Sequence, residues 1–106
     1  MTRHPRAFDR SFFTILCRAD NGDIYSAERT LCNDDRAAVV RDIANGQIDN
    51  VLSVFEFNPA EQWSCDISED IAEQILKEDG VLDHVRDFLE DQLGCQTIAE
   101  AVREVA

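Results

Sequence analysis

No apolar run in this chain approaches the ~18 residues that a membrane-spanning helix needs; the longest near its start, residues 12–17, is six long with a threonine inside it. That stretch is also too short for the core of a signal peptide, and no small-residue cleavage site follows it, so a cytoplasmic protein is expected. The motifs that mark common enzymes are missing as well: there is no Gly-rich phosphate loop, no G-x-S-x-G, no H-E-x-x-H and no C-x-x-C. Their absence argues against an enzyme, and no catalytic residue and no cofactor is assigned. Lysine is reduced to Lys77 alone, with arginine supplying nine of the ten basic residues, a bias from which no function follows.

The cysteines are four, Cys17, Cys32, Cys65 and Cys95, separated by 15, 33 and 30 residues. A tetrahedral zinc site usually draws two ligands from one short knuckle of backbone, two to four residues apart, and no such pair exists here. In a reducing compartment four free thiols are expected, with Cys17 a small buried hydrophobe in a strand and Cys95 exposed after a glycine. Asp20-Asn21-Gly22-Asp23 has the look of a calcium loop, but starting at Asp20 puts Gly22 at position 3 and Ile24 at position 5, where ligands are needed. No metal is therefore expected.

What the chain has in abundance is negative charge. At 106 residues it suffices for one domain. Its 44% apolar and 30% charged residues are ordinary for a globular protein. Yet ten basic residues face twenty-two acidic ones, a net of −12. The imbalance is uneven. Residues 1–19 hold Arg3, Arg6, Arg10 and Arg18 against Asp9, whereas residues 61–91 hold eleven acids against Lys77 and Arg86, a net of −9. Such a field repels phosphates, which disfavours direct nucleic-acid binding, and attracts a basic surface, including one built to hold nucleic acid. The plain alternative is that the charge only keeps a small protein soluble and monomeric.

The pattern along the chain reads as α+β. Residues 1–10, polar and basic with Pro5, are expected to form a mobile arm ahead of a single domain over 11–106. Residues 11–18 alternate as a strand, with both faces apolar enough to suggest cover on both sides. Asn21-Gly22 predicts a type I′ turn into a partner strand over 24–31. A helix over 34–45, capped by Asn33 or Asp34, carries Val39, Val40, Ile43 and Ala44 on one stripe and stops at Gly46. A third strand follows over 51–58, with Val51, Ser53, Phe55 and Phe57 sharing one face, and Pro59 ends it. Residues 59–65 read as irregular.

The acidic half is expected to be helical. Asp66-x-x-Glu69 has the spacing of a capping box, with Ser68 as a competing cap, and Ile67, Ile71, Ile75 and Leu76 make a stripe up to Gly80. A second helix covers 81–93 with Leu82, Val85, Phe88, Leu89 and Leu93 on one face. Thr97-Ile98-Ala99-Glu100 opens a final short helix. The predicted order is β-β-α-β-α-α-α, a hairpin and a third strand in a small antiparallel sheet packed by about four helices. Val39, Val40, Ile43, Ile71, Ile75, Val85, Phe88 and Leu89 are expected in the core.

Few residues offer chemistry. His84 lies beside Asp87 at i+3, and beside Cys95 if the chain folds back, but nothing supplies the orienting group or oxyanion site a Cys–His nucleophile needs. Asp66, Glu69, Asp70 and Glu73 gather at a helix start in a surface-helical pattern, where a solvated face is the simpler reading. Trp63 either clamps the loop after Pro59 onto the sheet or is offered to a partner; its indole N–H needs an acceptor in both cases.

Residues 54–61 (Val-Phe-Glu-Phe-Asn-Pro-Ala-Glu), then Trp63-Ser64 and residues 66–72 (Asp-Ile-Ser-Glu-Asp-Ile-Ala), resemble a group of small uncharacterised acidic proteins of alphaproteobacteria. The likeness extends over about residues 12–80. It implies a bacterial origin, on a mobile element in one version, and gives no residue a role.

Two function classes follow. The first is a non-enzymatic interaction protein, monomeric or weakly dimeric. Glu69, Asp70, Glu73, Asp83, Asp87, Glu90 and Asp91, with Trp63, would dock on a basic protein surface, as an anti-CRISPR or anti-restriction inhibitor mimicking nucleic acid would. The second is a bacterial accessory domain that binds a small ligand or protein through its sheet or Trp63 and is acidic only for solubility.

Overall fold

The computed structural model describes residues 10–29 and 34–105. It shows a four-stranded antiparallel sheet and four α-helices. The strands are β1 (Phe12–Arg18), β2 (Ile24–Ser26), β3 (Val51–Asn58) and β4 (Trp63–Asp66), in spatial order β2-β1-β3-β4. The helices are α1 (Arg36–Ala44), α2 (Ser68–Asp79), α3 (Arg86–Leu93), which a 3₁₀ turn at Asp83–Val85 precedes, and α4 (Cys95–Val105). The order β-β-α-β-β-α-α-α is the expected α+β plan with one strand added. All but Arg10 of the expected basic arm, the end of the predicted second strand (Thr30 and Leu31), Cys32 and the candidate cap Asn33 lie outside the described residues.

The core forms where the sequence pattern places it. The eight residues expected to be buried are all at or below 5% exposure, joined by Ala72 and Ile98 and packed against Phe13, Ile15, Cys17, Val51 and Val54 of the sheet. The strand face carrying Phe13, Ile15 and Cys17 meets the helices. On the opposite face Phe12 stacks on Phe57 at 5.8 Å between centroids, and the Arg10 guanidinium lies 4.9 Å from the Phe12 centroid.

The β3 register departs from strict alternation. Leu16 pairs with Ser53 but Cys17 pairs with Val51, so a bulge leaves Leu52 outside the ladder. Val51 is thereby turned to the core side with Val54, while Ser53, Phe55 and Phe57 share the other face. The Leu52 carbonyl accepts a hydrogen bond from Gln92 Nε2 instead, at 3.4 Å.

The hairpin turn also differs from expectation. The Ala19 carbonyl accepts from the Gly22 N–H and the Ala19 N–H donates to the Asp23 carbonyl, closing a three-residue loop. Only Gly22 has positive φ there, +92°, where a type I′ turn needs two such residues. The Asn21 side chain braces the loop by accepting from the Asp23 N–H at 2.9 Å. β2 stops at Ser26, five residues short of its predicted end. The Ala27 N–H still donates to the Ile15 carbonyl of β1 at 2.9 Å, and Arg29 reaches Asp34 and Asp42 beside α1.

Asp34 is consequently unavailable as the α1 cap. Asp35 takes that role, its carboxylate accepting from the Ala38 N–H at 2.8 Å. β4, missed in the sequence, is four exposed residues with no alternating burial. What holds it is the turn before it: Asn58, 6% exposed, accepts from the Glu61 N–H at 3.0 Å, and Gln62 adopts φ +59°.

Candidate functional site

The start of α2 is held to the sheet by a buried serine, beside the Ile67 N–H that donates to the Val54 carbonyl at 2.9 Å. The Ser68 Oγ, at the start of α2, accepts from the Val54 N–H at 2.8 Å and donates to Asp66 Oδ1 at 2.5 Å. Asp66 Oδ1 also accepts the Ser68 N–H at 2.9 Å. Asp66 is therefore spent on starting α2, whereas Glu69 and Asp70 stand in its first turn, where the helix dipole favours negative charge.

The predicted 81–93 helix starts late. Leu82 is extended, and only residues from Arg86 onward are α-helical. Within the 3₁₀ turn that precedes α3, His84 Nε2 lies 2.7 Å from the Ala44 carbonyl. A carbonyl only accepts, so Nε2 carries the hydrogen and satisfies one of the unpaired groups at the end of α1. His84 thus fastens the acidic half to α1, in place of the pairing with Asp87 or Cys95 considered from sequence. α4 begins at Cys95, two residues before the expected Thr97 cap, because Gly94 (φ +96°) is the whole α3–α4 link.

Six of the seven singled-out carboxylates are exposed. Glu69, Asp70 and Glu73 lie on α2, Asp83 on the 3₁₀ turn, and Asp87 and Asp91 on α3. Glu90 is half-buried and paired with Arg86 at 3.2 Å. Asp70 approaches Arg36 at 3.6 Å, a pair open to water on both sides. Four of the seven line two separate depressions. Asp70 and Glu73 line a depression of about 320 Å³ with Arg36 and Lys77, and Asp87 and Asp91 line one of about 360 Å³ with Arg18, Asn50 and Leu52. The two share no lining residue.

Trp63 stands on β4, 40% exposed, with its indole N–H donating to Glu61 Oε1 at 3.1 Å. The same carboxylate oxygen accepts from Asn58 Nδ2 at 3.3 Å, so Glu61 ties the tryptophan to the β3–β4 turn. Cys65 and Cys95 are exposed and Cys17 is buried, all three as thiols. Burial pushes the Cys17 thiol up, with Asp49 adding to it and a hydrogen bond from Tyr25 opposing it. Among the described residues no three His, Cys, Asp or Glu side chains gather to hold a metal, and no helix is long and apolar enough to cross a membrane.

The sequence reading passed over the basic residues of α1. Arg36 pairs with Glu56 through two of its nitrogens, at 2.9 and 3.0 Å. Burial pushes the Glu56 carboxyl up, but hydrogen bonds from Ser11 and Arg36 outweigh it and hold the group below the usual glutamate range. Between α1 and α2 runs a groove of about 540 Å³, with Val40 and Ile71 at its floor and Arg41 and Glu78 among its walls. Its only trace in the sequence is the small residues Ala37 and Ala44, seven apart on α1. Comparisons with protein-family models, curated proteins and solved structures returned no match.

Proposed function

We propose that this chain is a non-enzymatic interaction protein whose acidic helical half docks on a basic protein surface. The observation that carries the reading is the contrast between the charge of residues 61–91 and its use. In that stretch the two cations are Lys77 and Arg86, and among the described residues only Glu61, Asp66, Asp70 and Glu90 of its acids are engaged in side-chain hydrogen bonds or ion pairs. Glu69, Glu73, Asp83, Asp87 and Asp91 project into water without a cationic partner among the described residues. Like charges at helical spacing repel by a few tenths of a kcal/mol per pair, a strain that a basic partner relieves.

The sharper form is competitive mimicry: these carboxylates occupy the lysines and arginines with which a bacterial defence complex holds nucleic acid. An anti-CRISPR or anti-restriction inhibitor is a cytoplasmic protein of this size and sign. The test is capture of partners from bacterial lysate on immobilised wild type and on a Glu69→Lys, Glu73→Lys, Asp87→Lys, Asp91→Lys variant, with each captured protein then titrated in pure form. A basic partner lost from the variant, and competing with nucleic acid for the wild type, supports the reading; partners equally retained by both defeat it. A second reading rests on Trp63, an exposed aromatic on the edge strand β4. An accessory domain binding through it would lose affinity on Trp63→Ala and ignore salt.

A further inference from the structure

We propose that the α1–α2 groove is the anchor of that docking, a slot for the lysine and arginine side chains of a cationic amphipathic segment of the partner; the inference rests on the partner being basic. At about 540 Å³ the groove is larger than the two acidic depressions, of about 320 and 360 Å³. Its chemistry is that of a long basic side chain in negative. Ala37, exposed, and Ala44, half-buried, give the accessible apolar surface over the buried Val40 and Ile71, against which the methylene stem of a lysine or arginine lies. Glu78 and Asp79 stand along the α2 wall to receive the charged head, next to Asp70, which is already shared with Arg36. A surface that only imitated phosphates would need carboxylates but no such apolar surface.

Charge sets the orientation. Glu78 and Asp79 have no cationic partner among the described residues, while Arg36 on the opposite wall is engaged by Glu56. Arg41, also on the α1 wall, repels cationic heads toward α2. The groove continues into the depression lined by Asp70, Glu73 and Lys77, with which it shares Arg36, Asp70 and Gln74. Beside α1, nine residues or ~14 Å long, there is room for about two turns of a partner helix.

The test titrates the labelled protein, by amide NMR at ~50 mM salt, with a 14-residue amidated helical peptide of Leu, Ala, Lys and Arg, and with its counterpart carrying Glu for every Lys and Arg. The basic peptide should shift amides of residues 37–45 and 70–79. Ala37→Trp, which fills the groove from an exposed position, should weaken binding at least tenfold, as should the pair Glu78→Gln and Asp79→Asn. Equal affinity in both variants and wild type, or shifts confined to residues 83–91, overturns the groove and leaves the acidic-face reading standing. Binding of the acidic counterpart in the groove also overturns it. No binding of the basic peptide at all overturns both.

Discussion

The two halves of this molecule handle charge in opposite ways. In the half built from the hairpin, α1 and β3, three acids, Asp34, Asp42 and Glu56, are shielded and matched to arginines, while others such as Asp20, Asp23 and Asp35 stay exposed. Arg29, 8% exposed, meets Asp34, 3% exposed, at 2.5 Å and Asp42 at 2.9 Å. Burial alone would lower the Arg29 pKa, but the hydrogen bonds and charges of Asp34 and Asp42 raise it instead. In the half built from α2 and α3 the acids are displayed. The same residue types therefore do different work: in one half they hold arginines in place, in the other they set the field that a partner meets.

The comparison is broken most severely at Arg29. Arg29→Met should destabilise the fold by about 3–5 kcal/mol, because it strands a buried Asp34, and chemical denaturation reads the loss directly. A change below about 1 kcal/mol would show that the cluster is not structural. Next comes Ser68, which joins the halves. Ser68→Ala leaves the Val54 N–H without its buried acceptor and should cost about 1–3 kcal/mol by the same measurement.

Glu56 gives a smaller effect with a pH signature. Its folded pKa is depressed, so its contribution is complete above the ordinary glutamate range and lost as pH falls through the folded value. Glu56→Gln should flatten that acid limb of the stability profile while leaving the alkaline side parallel to wild type. Smallest of all, Asp83→Asn, Asp87→Asn and Asp91→Asn together should change stability by no more than about 0.5 kcal/mol, and toward stabilisation at low salt. A loss of several kcal/mol would mean that the displayed acids are structural after all.

How much of this was legible follows from what carries each feature. Apolar periodicity exposed the core, since Val39, Val40 and Ile43, or Phe88 and Leu89, announce their burial by spacing. The α+β class, the hairpin and the three predicted strands followed from it. β4 escaped because all four of its residues are exposed and hydrogen bonds from Asn58 and Glu61, rather than burial, position it. The Asp35 cap escaped because Arg29 takes Asp34, and the His84 contact before α3 because its partner, Ala44, lies forty residues away. Exposure of the acids was legible in the helical pattern, but the placing of four of them in two depressions was not, since it depends on which neighbours α1 and β1 place beside them.

The most direct test of the account is the association rate of the captured basic partner with wild type and with the Glu69→Lys, Glu73→Lys, Asp87→Lys, Asp91→Lys variant, by stopped flow from ~50 to ~300 mM salt. The account predicts that the wild-type rate falls at least tenfold over that range, while the variant, folded as judged by circular dichroism, starts slow and stays nearly flat. Rates that are equal in the two proteins and indifferent to salt would contradict it.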